Sequence, residues 1–257
     1  GELGQIAATE SISILNHKVK QAGIAVVGMV NFSRFGRLDP YGRMIANSGL
    51  VGILMNGAGP PAVSPYDGID PMLGTNPICF AFPTLSDPLI FDFSTGASVW
   101  GQIRQATLEN RPLPDNVFLG EDGHFTTDPE TAEAVIPFGG PKGYALCLAI
   151  EILSGALVSA KMGLKVESQY DIGFFAIGID PDFFGTGDTI KKEIDEFVSA
   201  IRKSRPRDGM DTVHVPGDRS KLRRQNAEAQ TLVDIADDTW IKLLKMQEGM
   251  PSGMTIK

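Results

Sequence analysis

The segment NFSRFGRLDPYG, residues 31–42, places the cation Arg34 between Ser33 and a Phe35-Gly36 pair, directly after an apolar run. A guanidinium presents a planar fork of N–H groups that binds a carboxylate through two parallel hydrogen bonds. It does not exchange a proton at neutral pH, because its pKa lies above about 12. Arg34 is therefore either an ordinary surface cation or a residue at a position where chemistry is normally done.

Two turn-rich segments adjoin predicted strands, where backbone donors are free. The GTNP turn, Gly74–Pro77, offers N–H groups and short polar side chains that suit a phosphate or carboxylate, although a plain turn explains it equally well. The DFSTG segment, residues 92–96, ends a strand and begins a helix. Asp92 can accept hydrogen bonds from ribose hydroxyls, while Ser94 or Thr95 caps the helix. A helix cap without any ligand is the alternative.

Two further turns lie at the starts of predicted helices. GGPKGY, residues 139–144, places Lys142 at the entrance of a long helix, where the positive helix end and the ammonium both favour an anion. VPGD, residues 215–218, is a turn in which Asp218 is suited to cap the next helix, and structure alone would explain it. An ammonium at Lys142 is electrostatically redundant unless something negative binds there.

Several common functional patterns are absent from the sequence. No GxGxxG motif lies between a predicted strand and helix, and neither GxxxxGK[ST] nor GxSxG occurs. His17, His124 and His214 lack the spacing of metal ligands, so we predict no metal site. The net charge of −8 and the pI near 4.9 argue against nucleic-acid binding. We expect the short basic run Arg219–Arg224 to be a solvated helix end.

Cysteine usage and hydropathy indicate the compartment. Cys79 and Cys147 are too few for a disulfide framework, which predicts free thiols and a cytoplasmic location. No apolar run approaches the roughly 20 residues of a membrane span, and no signal peptide is evident, so we expect no membrane partner. The sequence starts at Gly1 and enters a helical pattern at once, as expected for a fragment, a processed chain or a domain that lacks its N-terminal part.

Hydrophobic periodicity predicts alternating helices and strands. Helical spacing predicts a first helix that ends at Gly23, and β-branched runs predict strands at 24–30 and 50–55 around a helix at 40–49. The Gly- and Pro-rich residues 57–77 are expected to form a functional loop. A hairpin-like strand pair follows, which excludes a purely parallel doubly wound sheet and predicts a mixed α/β fold. The further expected elements are this pair at 78–82 and 89–94, helices at 97–108, 143–161 and 187–203, strands at 172–179 and 211–215, and a mostly helical stretch at 219–247.

Taken in order along the chain, these segments resemble the malate/L-lactate dehydrogenase family that lacks a classical Rossmann fold. That family includes ureidoglycolate, sulfolactate and 2,3-diketogulonate enzymes and the reductases of piperideine- and pyrroline-2-carboxylate. The resemblance implies an α/β fold with a mixed, largely antiparallel sheet flanked by helices, of the sulfolactate dehydrogenase type. It is carried by LGQIAA (3–8), SRFG (33–36), LGTNPICFAFPT (73–84), DFSTGASVWGQI (92–103), LP with DG and TTDP (113–129), GGPKGYALCLAIEILSGAL (139–157) and VPGD (215–218).

The resemblance implies an oxidoreductase that uses NAD or NADP and acts as a homodimer. It would move a hydride to or from the alpha carbon of a 2-oxo or 2-hydroxy acid or of a cyclic imino acid. Residues 60–214 would form the cofactor-binding domain, and residues 1–59 with 215–257 the dimerisation and substrate-side domain. Ser33, Arg34 and Lys142 would act at the substrate. The residues implied along the cofactor are Gly74, Thr75, Asn76, Asp92, Phe93, Ser94, Lys142, Pro216, Gly217 and Asp218.

The sequence departs from the family pattern around the substrate. Arg34 stands where the pattern has a histidine, whose imidazole, with a pKa of about 6.5, can exchange a proton at neutral pH. A preceding segment with a Ser-His-Gly motif is lacking, Pro141 replaces a frequent histidine, and YDGI (66–69) replaces a Gly-Gly pair. One interpretation is a reductase of a protonated imine, in which Arg34 holds the substrate carboxylate. The alternative is a catalytically altered or inactive homologue that serves as a nucleotide-binding, structural or regulatory subunit.

Overall fold

The computed structural model describes residues 3–230, 235 and 237–248. The chain divides into two compact units, one that ends at Gly217 and one that begins at Asp218. This division does not test the assignment of residues 60–214 to the cofactor and of the flanking residues to dimerisation, which stays a prediction.

The described residues form seven α-helices and eight strands, joined by loops and three short 3-10 helices. In the first unit they are α1 Gly4–Ala22, β1 Ile24–Val30, α2 Asp39–Asn47, β2 Val51–Asn56, β3 Ile78–Phe82, β4 Leu89–Phe93, α3 Gly101–Leu108, β5 Phe118–Leu119, β6 Phe125–Thr126, β7 Ala134–Val135, α4 Pro141–Ser154, β8 Gly173–Ile179 and α5 Gly187–Arg202. The second unit contains α6 Asp218–Ala229 and α7 Asp237–Glu248.

A five-stranded sheet organises the first unit, with the strand order β1-β8-β2-β3-β4. Every neighbouring pair in it is antiparallel. The strands β3 and β4 form the expected hairpin, in which Ile78 pairs with Phe93 and Phe82 with Leu89. A small second sheet, β6-β5-β7, lies in the turn-rich part of the chain. The predicted mixed α/β fold with a largely antiparallel sheet is confirmed.

Helices cover both faces of the large sheet. On one face α1 buries a stripe spaced four and three residues apart, and Gly178 of β8 lets it approach closely, because a Cβ there would lie 2.7 Å from Val19 Cγ2. On the other face α4 packs through Ile150 against Met55, Ile78 and Phe175. The stripe of α1 consists of Ala8, Ile12, Leu15 and Val19.

Three sequence-based expectations require correction. Residues 211–215 form no strand, because they have no ladder partner among the described residues, and only Val215 of them is buried. The helix expected at 143–161 ends at Ser154, since Gly155 leaves helical geometry, and the chain continues as a 3-10 helix, Ala156–Val158. The helix expected at 97–108 begins only at Gly101, since Ala97 N donates to Ile136 O beside the Gly96–Pro137 bridge. The mostly helical character expected of residues 219–247 is confirmed in the described part of the chain by α6 and α7.

Among the described residues, one window, Pro141–Val158, is by length and composition apolar enough to cross a membrane. It covers α4 and the next 3-10 helix, and 33% of it is buried inside the protein. Core helices meet the same criterion, and Lys142 and Glu151 interrupt the apolar run. At 18 residues, the window is nevertheless close to the length of a membrane span, which the sequence analysis did not expect of any apolar run. The lack of a membrane partner stays a prediction.

Candidate functional site

A cavity of about 470 Å³ lies at the ends of several strands of the large sheet. Its volume falls in the range of roughly 300 to 1,000 Å³ that is typical of small-molecule sites. It brings together residues from three of the segments singled out in the sequence, namely SRFG, GTNP and DFSTG. The lining residues are Arg34 to Leu38, Asn56, Ala58, Thr75, Pro77, Asp92 to Ser94, Val99 to Gly101 and Ile172.

Of the three predicted cofactor residues in the GTN turn, Thr75 lines the cavity. Its backbone carbonyl accepts hydrogen bonds from Thr95 N at 3.0 Å and from Ser94 Oγ at 2.9 Å. Its own N–H and hydroxyl have no partner in the described part of the chain, so both are available to a ligand. Asn76 is fully buried, and Gly74 N donates to Glu151 Oε2 at 3.4 Å. Gly74 and Asn76, on either side of Thr75, therefore fix the turn on the side away from the cavity.

The DFS residues all line the cavity. Asp92 Oδ2 accepts a hydrogen bond from Asp39 N at 2.9 Å, so its carboxylate caps the start of α2. Burial raises the pKa of Asp92, and the nearby Asp39 carboxylate raises it further, against the lowering effect of the backbone donor. The Phe93 ring is partly exposed to the cavity, where it offers a face for a flat ligand ring.

The SRFG residues have two different environments. Ser33 Oγ accepts a hydrogen bond from Gly4 N at 2.9 Å, which satisfies a free donor at the start of α1, and Ser33 does not line the cavity. Arg34 lines the cavity, is exposed, and forms no ion pair with any described residue. Arg37 also lines the cavity and lowers the pKa of Asp92 by its charge. Two guanidinium groups are thus available to an anionic ligand.

The GGPKGY segment lies beside the cavity rather than in its wall. Gly140 adopts a φ of 63° and a ψ of −129°, a conformation that glycine provides, and α4 begins directly after it. Phe138 joins this segment to the DFSTG segment, because its N–H donates to Thr95 O at 3.0 Å and its ring packs edge-on against Phe93 at 6.0 Å. Lys142 lies exposed in the first turn of α4 and pairs with no carboxylate among the described residues.

The VPGD turn lies on both sides of the division between the two units. Gly217, with a φ of 96°, packs so closely on β4 that a Cβ would lie 2.7 Å from Ile90 O, so its main chain adjoins the strand that carries Asp92. Pro216 is exposed, and Asp218 is the first residue of α6 in the second unit. The cofactor roles of these three residues stay predictions, as do the catalytic roles of Ser33, Arg34 and Lys142.

Several residues of the site were not identified from the sequence. Arg37, Asn56 and Trp100 line the cavity, and Glu151 lies behind it, where it contacts the GTN turn. Glu151 carries a signal that could have revealed it, because it is a lone acid on the buried side of an apolar helix. Asn56 gave no such signal, since it follows an apolar strand and resembles the start of a loop. In the described chain, no group of three His, Cys, Asp or Glu side chains could hold a metal ion.

Comparison with known proteins identifies the family. Residues 1–244 match the family described as malate/L-lactate dehydrogenase. The chain is 35% identical over 259 residues to the malate/(S)-sulfolactate dehydrogenase of Methanothermus fervidus, which covers 94% of this chain and 75% of that relative. The structure of sulfolactate dehydrogenase from Methanocaldococcus jannaschii superposes with a TM-score of 0.85 at 31% identity, over 96% of this chain and 73% of that one.

A second similar solved structure is named for a different reaction. The delta1-piperideine-2-carboxylate reductase of Pseudomonas syringae pvar. tomato superposes with a TM-score of 0.78 at 28% identity, over 96% of this chain and 74% of that one. The fold is therefore of the sulfolactate dehydrogenase type, as the sequence predicted. The chain belongs to the malate/L-lactate dehydrogenase family.

Proposed function

We propose that the protein is an NAD(P)-dependent oxidoreductase that transfers a hydride between a nicotinamide and a 2-oxo or 2-hydroxy acid or a cyclic imino acid. The observation that carries the proposal is the cavity in which Arg34, Thr75 and Asp92 meet, because segments far apart in sequence supply an anion clamp, free donors and an acceptor. Two relatives support the two substrate classes, since one is named for malate and sulfolactate and the other for a cyclic imino acid.

The cavity wall suits a nicotinamide riboside. The Phe93 and Trp100 rings are each partly exposed and line the cavity, so they can pack on a flat ring. The N–H and hydroxyl of Thr75 can donate to ligand oxygens, and the Asp92 carboxylate can accept from a ribose hydroxyl. When bound, the nicotinamide supplies or takes the hydride. Either NAD or NADP meets these requirements.

The chemistry of Arg34 determines which class of substrate can be reduced without a proton donor at this position. Its guanidinium can bind the carboxylate next to the reacting carbon, but it cannot donate the proton that a reduced ketone requires. A protonated cyclic imine needs none, because the hydride forms the new C–H bond and the C=N electron pair becomes the lone pair of a neutral amine. We therefore place cyclic imino acids first and 2-oxo acids second among the candidate substrates.

We also propose that the protein acts as a cytoplasmic homodimer. Gly28 faces Val158, directly after α4, so the alternating Ile24 and Val26 lie on the same face of the sheet and are half exposed. The outer side of α4 exposes Leu148 and Ile152. A second copy would cover such apolar surface, and sedimentation equilibrium measures whether it does. The two buried free thiols support the compartment.

The first experiment is a titration of the protein with NADH and with NADPH. Trp100 lines the cavity, so we expect saturable quenching of tryptophan fluorescence at micromolar nucleotide, with the quenching reduced in Trp100→Phe. The better nucleotide then serves to screen cyclic imines and 2-oxo acids by loss of nicotinamide absorbance. Binding of neither nucleotide would overturn the proposal and favour the structural or regulatory alternative.

A further inference from the structure

Asn56 carries a buried side-chain amide that has no hydrogen-bond partner among the described residues. The side chain lies at the end of β2 and is 8% exposed, and it lines the same cavity as Arg34 and Thr75. Its Oδ1 is fully buried and accepts no hydrogen bond, and its Nδ2 donates to no described residue. Most buried side-chain polar atoms in proteins have at least one partner, so an amide with none requires an explanation.

The main chain does not explain the choice of asparagine. Asn56 N donates to Pro77 O at 3.3 Å, and Asn56 pairs with Phe174 in the ladder to β8, which any residue could do. A nearly isosteric leucine would fit this position, since the residues of β2 before it are apolar. The amide therefore lowers the stability of the free protein, because a buried polar group without a partner keeps its full desolvation cost.

We propose that the Asn56 amide is a ligand-contacting group, which pairs with a carbonyl, carboxamide or iminium group in the cavity. An amide presents both a donor and an acceptor, and rotation about χ2 exchanges them. It can therefore face the carboxamide of a nicotinamide or the C=O or C=N group of a substrate. This inference rests on the proposed function, because it takes its ligand from that reaction.

The Asn56 amide is neutral, unlike the titrating histidine that the family pattern has at the position of Arg34. An acceptor oxygen suits the N–H of a protonated imine, and a donor N–H suits a ketone oxygen. Asn56→Asp keeps only the acceptor. If the partner is an iminium N–H, the aspartate retains the contact, whereas a ketone oxygen loses it.

The test compares Asn56→Leu with a matched control, Asn16→Leu. Asn16 on α1 is another asparagine with a buried Oδ1, but its Nδ2 donates to Met44 O at 3.3 Å and to Ser48 Oγ at 3.1 Å, outside the cavity. We expect Asn56→Leu to keep or raise Tm while ligand binding or turnover falls about tenfold or more. We expect Asn16→Leu to lower Tm and leave the dissociation constants of NADH and NADPH unchanged.

Two measurements distinguish the two sources of the ligand group. A tenfold weaker dissociation constant for NADH or NADPH in Asn56→Leu identifies the nicotinamide carboxamide. An unchanged dissociation constant with a tenfold lower kcat/KM identifies the substrate, and Asn56→Asp then sorts imine from ketone by which of the two it retains.

The failures are also distinct. If wild-type protein binds neither nucleotide, the proposed function and this inference fall together. If wild-type protein binds nucleotide and turns over, and Asn56→Leu matches it in dissociation constant and kcat/KM, the inference alone is overturned. A folded Asn56→Leu with a lower Tm and unchanged kinetics would show that the amide has a structural role.

Discussion

Asn76 Nδ2 lies 2.5 Å from Glu151 Oε2, and this contact joins the turn at the cavity to the buried side of α4. Asn76 adopts a φ of 32° and also donates to Cys147 O at 3.2 Å, so its side chain is used entirely inside the protein. Glu151 Oε1 in turn accepts from Gly163 N at 2.7 Å. One buried carboxylate thus connects the GTN turn, α4 and the loop that leads to β8.

We expect loss of the Glu151 carboxylate to be costly. Glu151→Ala removes the acceptor of Gly74 N, of Gly163 N and of one Asn76 Nδ2 N–H, which should lower the free energy of unfolding by about 2 to 4 kcal/mol. Urea denaturation followed by circular dichroism measures this. Glu196→Ala on the exposed face of α5 is the control, and we expect a change of less than about 0.5 kcal/mol there. A loss no larger than in the control would show that the contact contributes nothing.

The same contact permits a charge-swap test of this prediction. Asn76→Asp places two carboxylates face to face and should lower stability, whereas adding Glu151→Gln restores a donor-acceptor pair between the two positions. We expect the double variant to be more stable than Asn76→Asp alone. If the losses of stability caused by Asn76→Asp and by Glu151→Gln simply add in the double variant, a direct contact between the two residues is contradicted.

The sequence predicted most helices and strands, because the hydrophobic residues of a helix and of a strand recur with different spacings. The stripe at Ala8, Ile12, Leu15 and Val19 and the alternating strands specify which side faces the core, so helices and the β3–β4 hairpin follow from local patterns. Residues 211–215 have a strand-like composition, but no strand in the described part of the chain pairs with them. Ladder partners depend on tertiary structure, which local propensity does not contain.

The site was predicted by segment rather than by residue. The turns at 74–77 and 92–96 indeed meet at one cavity, but burial decides which of their residues reach it, and burial depends on how α4 packs. Thr75 faces the cavity while its neighbour Asn76 faces Glu151. Ser33 binds the start of α1, twenty-nine residues away in sequence, and no short-range pattern contains that contact.

Arg34 provides a prediction for the substrate rather than for the fold. Arg34→Met removes two charge-assisted hydrogen bonds to a carboxylate, so we expect KM for the acid or imino acid to rise roughly 10- to 100-fold. The dissociation constant of the nucleotide should change less than about twofold, because the clamp contacts the substrate. Arg34→Lys should recover part of the loss, since an ammonium keeps the charge without the fork.

Steady-state kinetics with the best substrate of the screen measures the effect of Arg34. Arg207→Met, at an exposed loop position, is the matched control and should leave KM unchanged. An unchanged KM in Arg34→Met would mean that Arg34 is an ordinary surface cation.

The two cysteines should resist thiol reagents while the protein is folded. Burial raises the pKa of the Cys147 thiol to about 11 and raises that of Cys79 as well. The thiolate is the reactive form, so both groups should react with an aromatic disulfide at pH 8 only after denaturation. Absorbance of the released thiolate counts them, and Cys79→Ser and Cys147→Ser assign the signals. Rapid reaction of either thiol in native protein would contradict the buried placement of that cysteine.

Asp171 predicts how stability changes in acid. Its carboxylate lies 2.8 Å from Lys161 Nζ and accepts from Ser168 N at 2.9 Å. The Lys161 ammonium, together with the Ser168 N–H, lowers the pKa of Asp171 to about 2. In the unfolded chain the pKa of an aspartate is about 3.9, so the folded protein prefers the charged form. The resulting stabilisation is present above about pH 4 and is lost as the pH falls toward 2.

Asp171→Asn removes this dependence. We expect the variant to be less stable than wild type at pH 7 and the difference between them to shrink steadily as the pH falls from about 4 to about 2. Urea midpoints measured across that range test the prediction. Asp115→Asn is the control, because the Asp115 side chain is exposed to solvent. A difference between wild type and Asp171→Asn that stays constant down to pH 2 would show that the ion pair does not hold the loop before Ile172 in place.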